Sequence, residues 1–118
     1  MAAFNWVDFR ATCPSCGRRS AIRAQMHIGA SYAGNDTGRF HDRTYSLGDR
    51  LSWFDQTEHR YMSEWRESEN VGNASEACYA TCVECQAQLY AVIVVREFIV
   101  ASANDVGRES AWPAGYPK

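Results

Sequence analysis

The sequence predicts an all-β fold built on an antiparallel sheet. Three features predict it: residues 20–28 alternate between apolar and polar side chains, residues 89–95 form an apolar run rich in β-branched side chains, and two Cys-x-x-Cys pairs each lie beside a strand-like segment. Alternation with a period of two is typical of a half-buried strand, and β-branched runs favour a central strand over a helix. The 118 residues are enough for one domain.

The N-terminal part of the chain contains two predicted strands followed by a loop. Residues 1–12 carry three spaced aromatic side chains and are predicted to form an edge strand that leads to the first cysteine. The alternating strand over residues 20–28 follows the first cysteine pair. Residues 29–39 contain three glycines and an Asn-Asp pair, which indicates a loop.

The middle of the chain is predicted to be a β-rich insert, and the strands resume after it. Residues 45–54 are predicted to form two short strands around Gly48, or one bent strand. Residues 55–75 are predicted loops, with one helical turn as an alternative. Residues 76–81 are predicted to form a strand that leads to the second cysteine pair, and residues 87–100 are predicted to form the central strand.

Four of the five cysteines form two matched pairs. Cys13-x2-Cys16 and Cys82-x2-Cys85 are separated by 65 residues. A two-residue spacer lets a tight turn direct two sulfurs at one ion, and Zn²⁺ takes four ligands at tetrahedral corners. Gly17 follows the first pair, at a position that often takes a positive φ. The sequence therefore predicts one structural Zn²⁺ per chain, with Cys13, Cys16, Cys82 and Cys85 as its ligands.

Three alternatives to structural zinc stay open at this point: an iron site, a pair of redox dithiols, and a chance spacing of the cysteines. Four thiolates also suit a rubredoxin-like iron site, and two Cys-x-x-Cys pairs can act as redox dithiols. In either metal site the four thiolates leave no position for water or substrate, so we expect the metal to be non-catalytic. Cys78 is the fifth cysteine. We expect it to be a small buried side chain, with an alternative ligand or a reactive thiol as the other interpretation.

The two cysteine motifs resemble those of the zinc-ribbon family of small β-domains. The matching residues are Cys13-Pro14-Ser15-Cys16-Gly17 and Cys82-Val83-Glu84-Cys85, with the flanking strands at residues 20–28 and 87–100. The chain departs from the family at Gln86, where glycine is common, and in the long interval between the pairs. The resemblance implies structural zinc. It implies no particular partner, since zinc ribbons serve many classes of protein.

We expect a single elaborated zinc-ribbon domain over residues 1–103, with its insert at about residues 29–75 and a C-terminal tail over residues 104–118. No charged and apolar leader follows Met1, and no apolar stretch reaches the roughly 18 residues that cross a membrane. The odd number of cysteines favours metal ligands in a reducing compartment over disulfides. A cytoplasmic protein without membrane contact is therefore expected.

The charge pattern favours another protein as the partner. The chain has a net charge of -2, and its acidic middle carries nine acids against five arginines. Binding to a phosphate backbone usually needs a clear basic excess. Aromatic side chains in the insert, at Trp53, Tyr61 and Trp65, are candidate partner contacts, with core packing as the other interpretation. We therefore expect a protein-interaction module: an accessory subunit, an adaptor, or an inhibitor or immunity-type protein.

A nucleic-acid-binding or transcription-associated zinc ribbon is the alternative function. Its contacts would come from a basic set near the first cysteine pair, which consists of Arg10, Arg18, Arg19 and Arg23. We expect no enzyme and no small-molecule substrate, because the sequence carries neither a nucleophile in a G-x-S-x-G setting nor a phosphate-binding glycine motif. A redox or iron protein is the remaining alternative.

Overall fold

The computed structural model describes residues 4–28, 43–51 and 72–116, and these residues are nearly all β. The strands are β1 (Asn5–Thr12), β2 (Arg19–Met26), β3 (Thr44–Ser46), β4 (Ala74–Cys82), β5 (Gln88–Arg96) and β6 (Ile99–Arg108). A 3-10 helix, Glu109–Ala111, follows β6. No helix in the described ranges is long and apolar enough to cross a membrane. The predicted all-β class is confirmed.

One curled sheet contains the six strands in the order β3-β1-β2-β4-β5-β6. Four neighbouring pairs are antiparallel, whereas β1 and β3 are parallel, so the sheet is mixed. Two hydrogen bonds secure the start of β3 beside β1. The Trp6 N–H donates to the Arg43 carbonyl oxygen at 2.7 Å, and the Arg43 N–H donates to Oδ1 of the buried Asn5 at 3.0 Å.

β1 is an interior strand, whereas the sequence predicted an edge strand. The difference arises because β3, which belongs to the insert, covers the outer side of β1. The segment after β3 then reaches the other edge of the sheet, at β6. The Gly48 N–H donates to the Val100 carbonyl at 2.7 Å, and the Leu51 N–H donates to the Phe98 carbonyl at 2.9 Å. These bonds connect the two edges of the sheet, which is consistent with its curl.

The apolar run after the second cysteine pair forms two strands, not the single strand predicted over residues 87–100. The chain reverses at Glu97 and Phe98, with φ values of 51° and 65°. Such a two-residue turn usually contains glycine or asparagine, because a positive φ strains other residues. Here tertiary contacts stabilise it: the Phe98 N–H donates to the Gly72 carbonyl at 3.0 Å, and the Glu97 N–H donates to Asn73 Oδ1 at 3.1 Å.

The core lies on one face of the sheet, which we call the inner face. The strand register aligns one row of buried side chains across four strands: Val7, Ala24, Ala80 and Leu89. The insert adds Tyr45 and Leu51 to the same core cluster. The opposite face, which we call the outer face, carries the alternate residues of these strands, among them Trp6, Arg23, Tyr79 and Tyr90.

The C-terminal segment returns to the outer face. β6 continues to Arg108, so residues 104–108, assigned to the tail in the sequence analysis, lie in the sheet. Beyond the 3-10 helix, Trp112 packs against Tyr79 and Tyr90, with ring centroids 4.9 and 6.0 Å apart. The Trp112 indole N–H donates to the Tyr116 carbonyl at 3.1 Å.

We expect Gly72→Ala to destabilise the fold strongly. Gly72 has a φ of 86°, and a Cβ there would lie 2.9 Å from the Phe98 ring. The left-handed backbone costs an alanine about 1–2 kcal/mol, and crowding in a packed core costs about 1–3 kcal/mol more. Urea unfolding should therefore show a loss of about 2–5 kcal/mol in the free energy of unfolding.

Gly48→Ala is the matched control for this prediction. Gly48 also has a positive φ, 95°, but a Cβ there meets no atom of the described residues within 4 Å. Only the backbone term of about 1–2 kcal/mol should therefore appear. Equal losses in the two variants would contradict a role for the Phe98 contact.

Candidate metal centre

The topology places both cysteine pairs at one end of the sheet. β1 and β4 run in the same direction, because each is antiparallel to β2, which lies between them. The first cysteine turn (residues 13–18) follows β1, and the second cysteine turn (residues 82–87) ends β4. The Val83 N–H donates to the Ala21 carbonyl at 2.9 Å, which extends the pairing of β2 with β4 into the second turn.

The two cysteine turns share one hydrogen-bond pattern. In each turn, the N–H of the first cysteine donates to the carbonyl of the residue five positions after it. The carbonyl of the same cysteine accepts the N–H of the residue four positions after it. These bonds are Cys13 to Arg18 at 2.8 Å, Gly17 to Cys13 at 2.9 Å, Cys82 to Ala87 at 3.2 Å and Gln86 to Cys82 at 2.8 Å. Both pairs therefore lie on turns of the same type.

This pattern explains how Gln86 takes the place of a glycine. Gly17 and Gln86 occupy equivalent positions, and both have positive φ values, 74° and 63°. The left-handed backbone strains glutamine, unlike glycine. The Gln86 side chain offsets part of that strain, because its Nε2 donates to the Val83 carbonyl at 2.8 Å within the same turn.

The four paired cysteines converge on one point. Their Sγ atoms all lie within 4.8 Å of one another, and the Sγ atoms of Cys13 and Cys85 are 3.7 Å apart. Four sulfurs at tetrahedral corners about 2.3 Å from an ion would be about 3.8 Å apart. Cys13, Cys16, Cys82 and Cys85 can therefore hold one metal ion, and together they fill all four positions of a tetrahedral shell.

Polar groups of the turns point at the sulfurs. The backbone N–H groups of Ser15 and Cys16 lie 3.3 and 3.5 Å from Cys13 Sγ. The hydroxyl of the fully buried Ser20 donates to Cys82 Sγ at 3.1 Å. Hydrogen bonds of this kind stabilise a thiolate, and they orient it toward an ion.

These contacts shift the cysteine pKa values in opposite directions. The Ser20 hydroxyl, helped by the backbone N–H of Cys85, lowers the pKa of Cys82 to about 6. The pKa of Cys85 is raised to about 11: the Ala87 N–H favours its thiolate, but desolvation and the neighbouring cysteine sulfurs outweigh that bond. Protons therefore remain on part of the cluster without an ion, and binding of a metal ion would release them.

Cys78 lies apart from the cluster. It is four residues from Cys82 along β4, or about 13 Å at the usual rise of a strand. Its side chain is buried on the inner face, and its thiol donates to Glu76 Oε1 at 3.3 Å. Burial, together with the charge of Glu76, raises the pKa of Cys78 well above its usual range. The thiol stays protonated, which agrees with the interpretation of a small buried side chain rather than a reactive one.

The basic set divides between the outer face and the first cysteine turn. Arg10, Arg19 and Arg23 are on the outer face of β1 and β2, and Arg18 ends the turn. Arg23 is already engaged: its Nε lies 3.3 Å from Asp8 Oδ1, and its guanidinium lies 4.3 Å from the centre of the Trp6 ring.

The aromatic partner contacts predicted in the insert, Trp53, Tyr61 and Trp65, lie outside the described residues. The structure instead shows an aromatic band that the sequence analysis missed, made of Trp6, Tyr79, Tyr90 and Trp112 on the outer face. All four side chains are partly exposed. Strand periodicity could have indicated three of them, because Trp6, Tyr79 and Tyr90 each alternate with buried residues. Trp112 joins the band only through the tertiary fold.

The chain matches no family model, no curated protein and no solved structure. The similarity to zinc ribbons therefore rests on the two cysteine turns and the strands beside them.

We expect Ser20→Ala to weaken metal binding. The substitution removes the hydroxyl that donates to Cys82 Sγ and leaves that thiolate without its main stabilising contact. Loss of such a supporting hydrogen bond typically lowers metal affinity about 10- to 100-fold. Competition with a chelator of known affinity measures the change.

Ser15→Ala is the matched control for this loss of affinity. Ser15 contacts Cys13 Sγ through its backbone N–H, which alanine retains. The metal affinity of the Ser15→Ala variant should stay close to that of the original chain. If Ser20→Ala bound the ion as tightly as Ser15→Ala, the Ser20 hydroxyl would have no part in the site.

Proposed function

We propose that the four-cysteine cluster binds one zinc ion with a structural role. A closed tetrahedral shell of thiolates is typical of structural zinc sites, and zinc has no redox chemistry of its own. The position of the cluster supports this role. β2 and β4 share only three residue pairs, Ile22 with Cys82, Arg23 with Thr81 and Ala24 with Ala80. An ion held by both cysteine turns would add a further connection between the β1–β2 and β4–β5 hairpins.

The zinc proposal predicts one zinc and no iron per purified chain by elemental analysis. Cys16→Ser leaves three thiolates, so we expect it to lose the ion and to unfold, because ion binding contributes to folding in such domains. Cys78→Ala is the control, since it removes a thiol from the core without touching the cluster, and it should keep its zinc. A folded Cys16→Ser variant with one equivalent of zinc would rule out the ligand assignment, and a red, iron-containing protein would rule out zinc.

We propose further that the zinc-stabilised sheet is a non-catalytic module that binds another protein, as an accessory subunit, an adaptor or an inhibitor. The aromatic band is the observation that carries this proposal. Tryptophan, tyrosine and arginine are enriched where proteins bind one another most strongly, and here Trp6, Tyr79 and Tyr90 lie on one face with Arg23 among them. A rigid sheet presents such side chains with little loss of conformational entropy on binding.

A nucleic-acid-binding function is the second candidate. Its support is the position of Arg10 and Arg19 on the same face as the aromatic band, since bases stack on aromatic rings beside basic side chains. Two observations favour the protein partner over it. Asp8 forms an ion pair with Arg23 at 3.3 Å, and the whole chain has a net charge of -2.

Affinity capture with a band variant tests the protein-binding proposal. The tagged, zinc-loaded chain is incubated with a lysate of its native host, with and without nuclease, and bound proteins are identified by mass spectrometry. We expect one stoichiometric protein that nuclease does not remove. Trp6→Ala should lower its affinity about tenfold or more, as loss of a central aromatic contact does.

Leu47→Ala is the control for this capture experiment. Leu47 is an exposed apolar side chain in the turn after β3, outside the aromatic band, so its loss should leave binding unchanged. A partner that binds Trp6→Ala as well as the original chain would contradict the proposed surface. Partners that vanish with nuclease would favour the nucleic-acid function and the basic set.

A further inference from the structure

A pocket of about 270 Å³ opens on the outer face, where the end of β2 lies beside the start of β4. Its lining includes three aromatic side chains, Tyr79, Trp112 and Tyr116, together with His27 and Glu76. The pocket lies away from the cysteine turns, which occupy the opposite ends of these two strands. The metal centre therefore has no part in it.

The pocket exists because β2 and β4 separate. Their residue pairs stop at Ala24 and Ala80. Beyond that point the Glu76 side chain on β4 accepts the hydrogen bonds of the chain that follows β2. Glu76 Oε1, rather than a main-chain carbonyl, accepts the His27 N–H and, at 3.4 Å, the Ile28 N–H. The carboxylate is thereby fixed at the gap between the strands, 3.8 Å from His27 Nδ1 and 24% exposed.

The aromatic wall is fixed as well. The Trp112 ring lies 4.9 Å from the Tyr79 ring at an interplanar angle of 47°. The Trp112 indole N–H donates to the Tyr116 carbonyl at 3.1 Å, and the Tyr116 hydroxyl lies 3.4 Å from Ser75 Oγ on β4. The C-terminal segment therefore holds two aromatic side chains over β4.

These groups suit a positively charged ligand. The face of an aromatic ring is electronegative and attracts cations, most strongly for tryptophan, and a nearby carboxylate adds to the attraction. The volume falls below the roughly 300–1,000 Å³ typical of pockets for whole drug-sized ligands, so a head group fits better than a large molecule.

The lining as a whole favours one kind of cation. Three of its side chains are aromatic, and one of the two carboxylate oxygens of Glu76, Oε1, already accepts the His27 and Ile28 N–H groups and the Cys78 thiol, at 3.3 Å. A primary ammonium needs acceptors for its own N–H groups, whereas a quaternary ammonium has none to satisfy. We propose that this pocket binds the quaternary ammonium head group of an organic cation. The inference does not depend on the proposed function.

Choline is the probe that tests this inference. The full zinc-loaded chain is titrated with choline chloride, and the backbone N–H signals of Ser75 and Ala77, which line the pocket, are followed by NMR at constant ionic strength. Two comparison compounds are titrated alongside: 3,3-dimethyl-1-butanol, the uncharged isostere of choline, and ethanolamine, its primary ammonium analogue. We expect a saturable shift with choline. Either comparison compound should bind with an affinity at least about tenfold lower than that of choline.

Three variants locate the binding. Trp112→Leu should lower choline affinity about tenfold. Tyr79→Leu should also lower it, and it tests the aromatic lining independently of the C-terminal segment because Tyr79 belongs to β4. Glu76→Gln, which keeps the oxygen acceptor and removes the charge, should lower it several-fold. Leu47→Ala is the control, because Leu47 is exposed and does not line the pocket.

Four results would overturn the inference. Equal binding of choline and its uncharged isostere would mean that charge plays no part, and equal binding of ethanolamine would exclude selectivity for a quaternary head group. A choline affinity unchanged in both Tyr79→Leu and Glu76→Gln, or no saturable shift at all, would exclude this pocket as the site.

Discussion

The convergence of four cysteine sulfurs at one end of the sheet is the constraint on which the rest of the structure depends. The β1–β2 and β4–β5 hairpins come from segments far apart in the chain, and only three residue pairs join them through β2 and β4. The two cysteine turns bring their sulfurs within 4.8 Å of one another at the end of that short contact. An ion at this point would add the free energy of metal binding to the strand pairing and to the core that the hairpins share.

The opposite ends of β2 and β4 carry no cysteine turn. The strands separate beyond Ala24 and Ala80, and Glu76 bridges the gap with its side chain. The same sheet thus has a closed end at the cysteines and an open end with an aromatic-lined pocket. Both ends border the outer face, where the aromatic band lies across β1, β4 and β5, so the metal centre would set the geometry of the surface proposed for binding.

Local sequence patterns predicted the parts of the fold that depend on local structure. The alternation over residues 20–28 became β2, Arg19–Met26, and the spacing of the cysteines indicated two turns that meet. The turn at Gly48 was also predicted from the sequence, and glycine suits it because the backbone there has a φ of 95°. In each case the residue type and its immediate neighbours determine the backbone.

Long-range contacts determined the parts that sequence analysis missed. β1 became an interior strand because β3 of the insert pairs with it. The turn at Glu97 and Phe98 has no glycine, and it forms because Gly72 and Asn73, which are distant in the chain, bind its N–H groups. Ser20 supports Cys82 across 62 positions, and no spacing rule would have paired them.

Amide hydrogen exchange of the full chain, compared with and without the proposed zinc ion under reducing conditions, tests the central claim most directly. If the four-cysteine cluster joins the two hairpins, removal of the ion by a chelator should abolish protection along the whole of β2 and β4. Loss of protection confined to the two cysteine turns, with β2 and β4 still protected, would contradict the account. The strand pairing and the shared core would then suffice to join the hairpins without an ion.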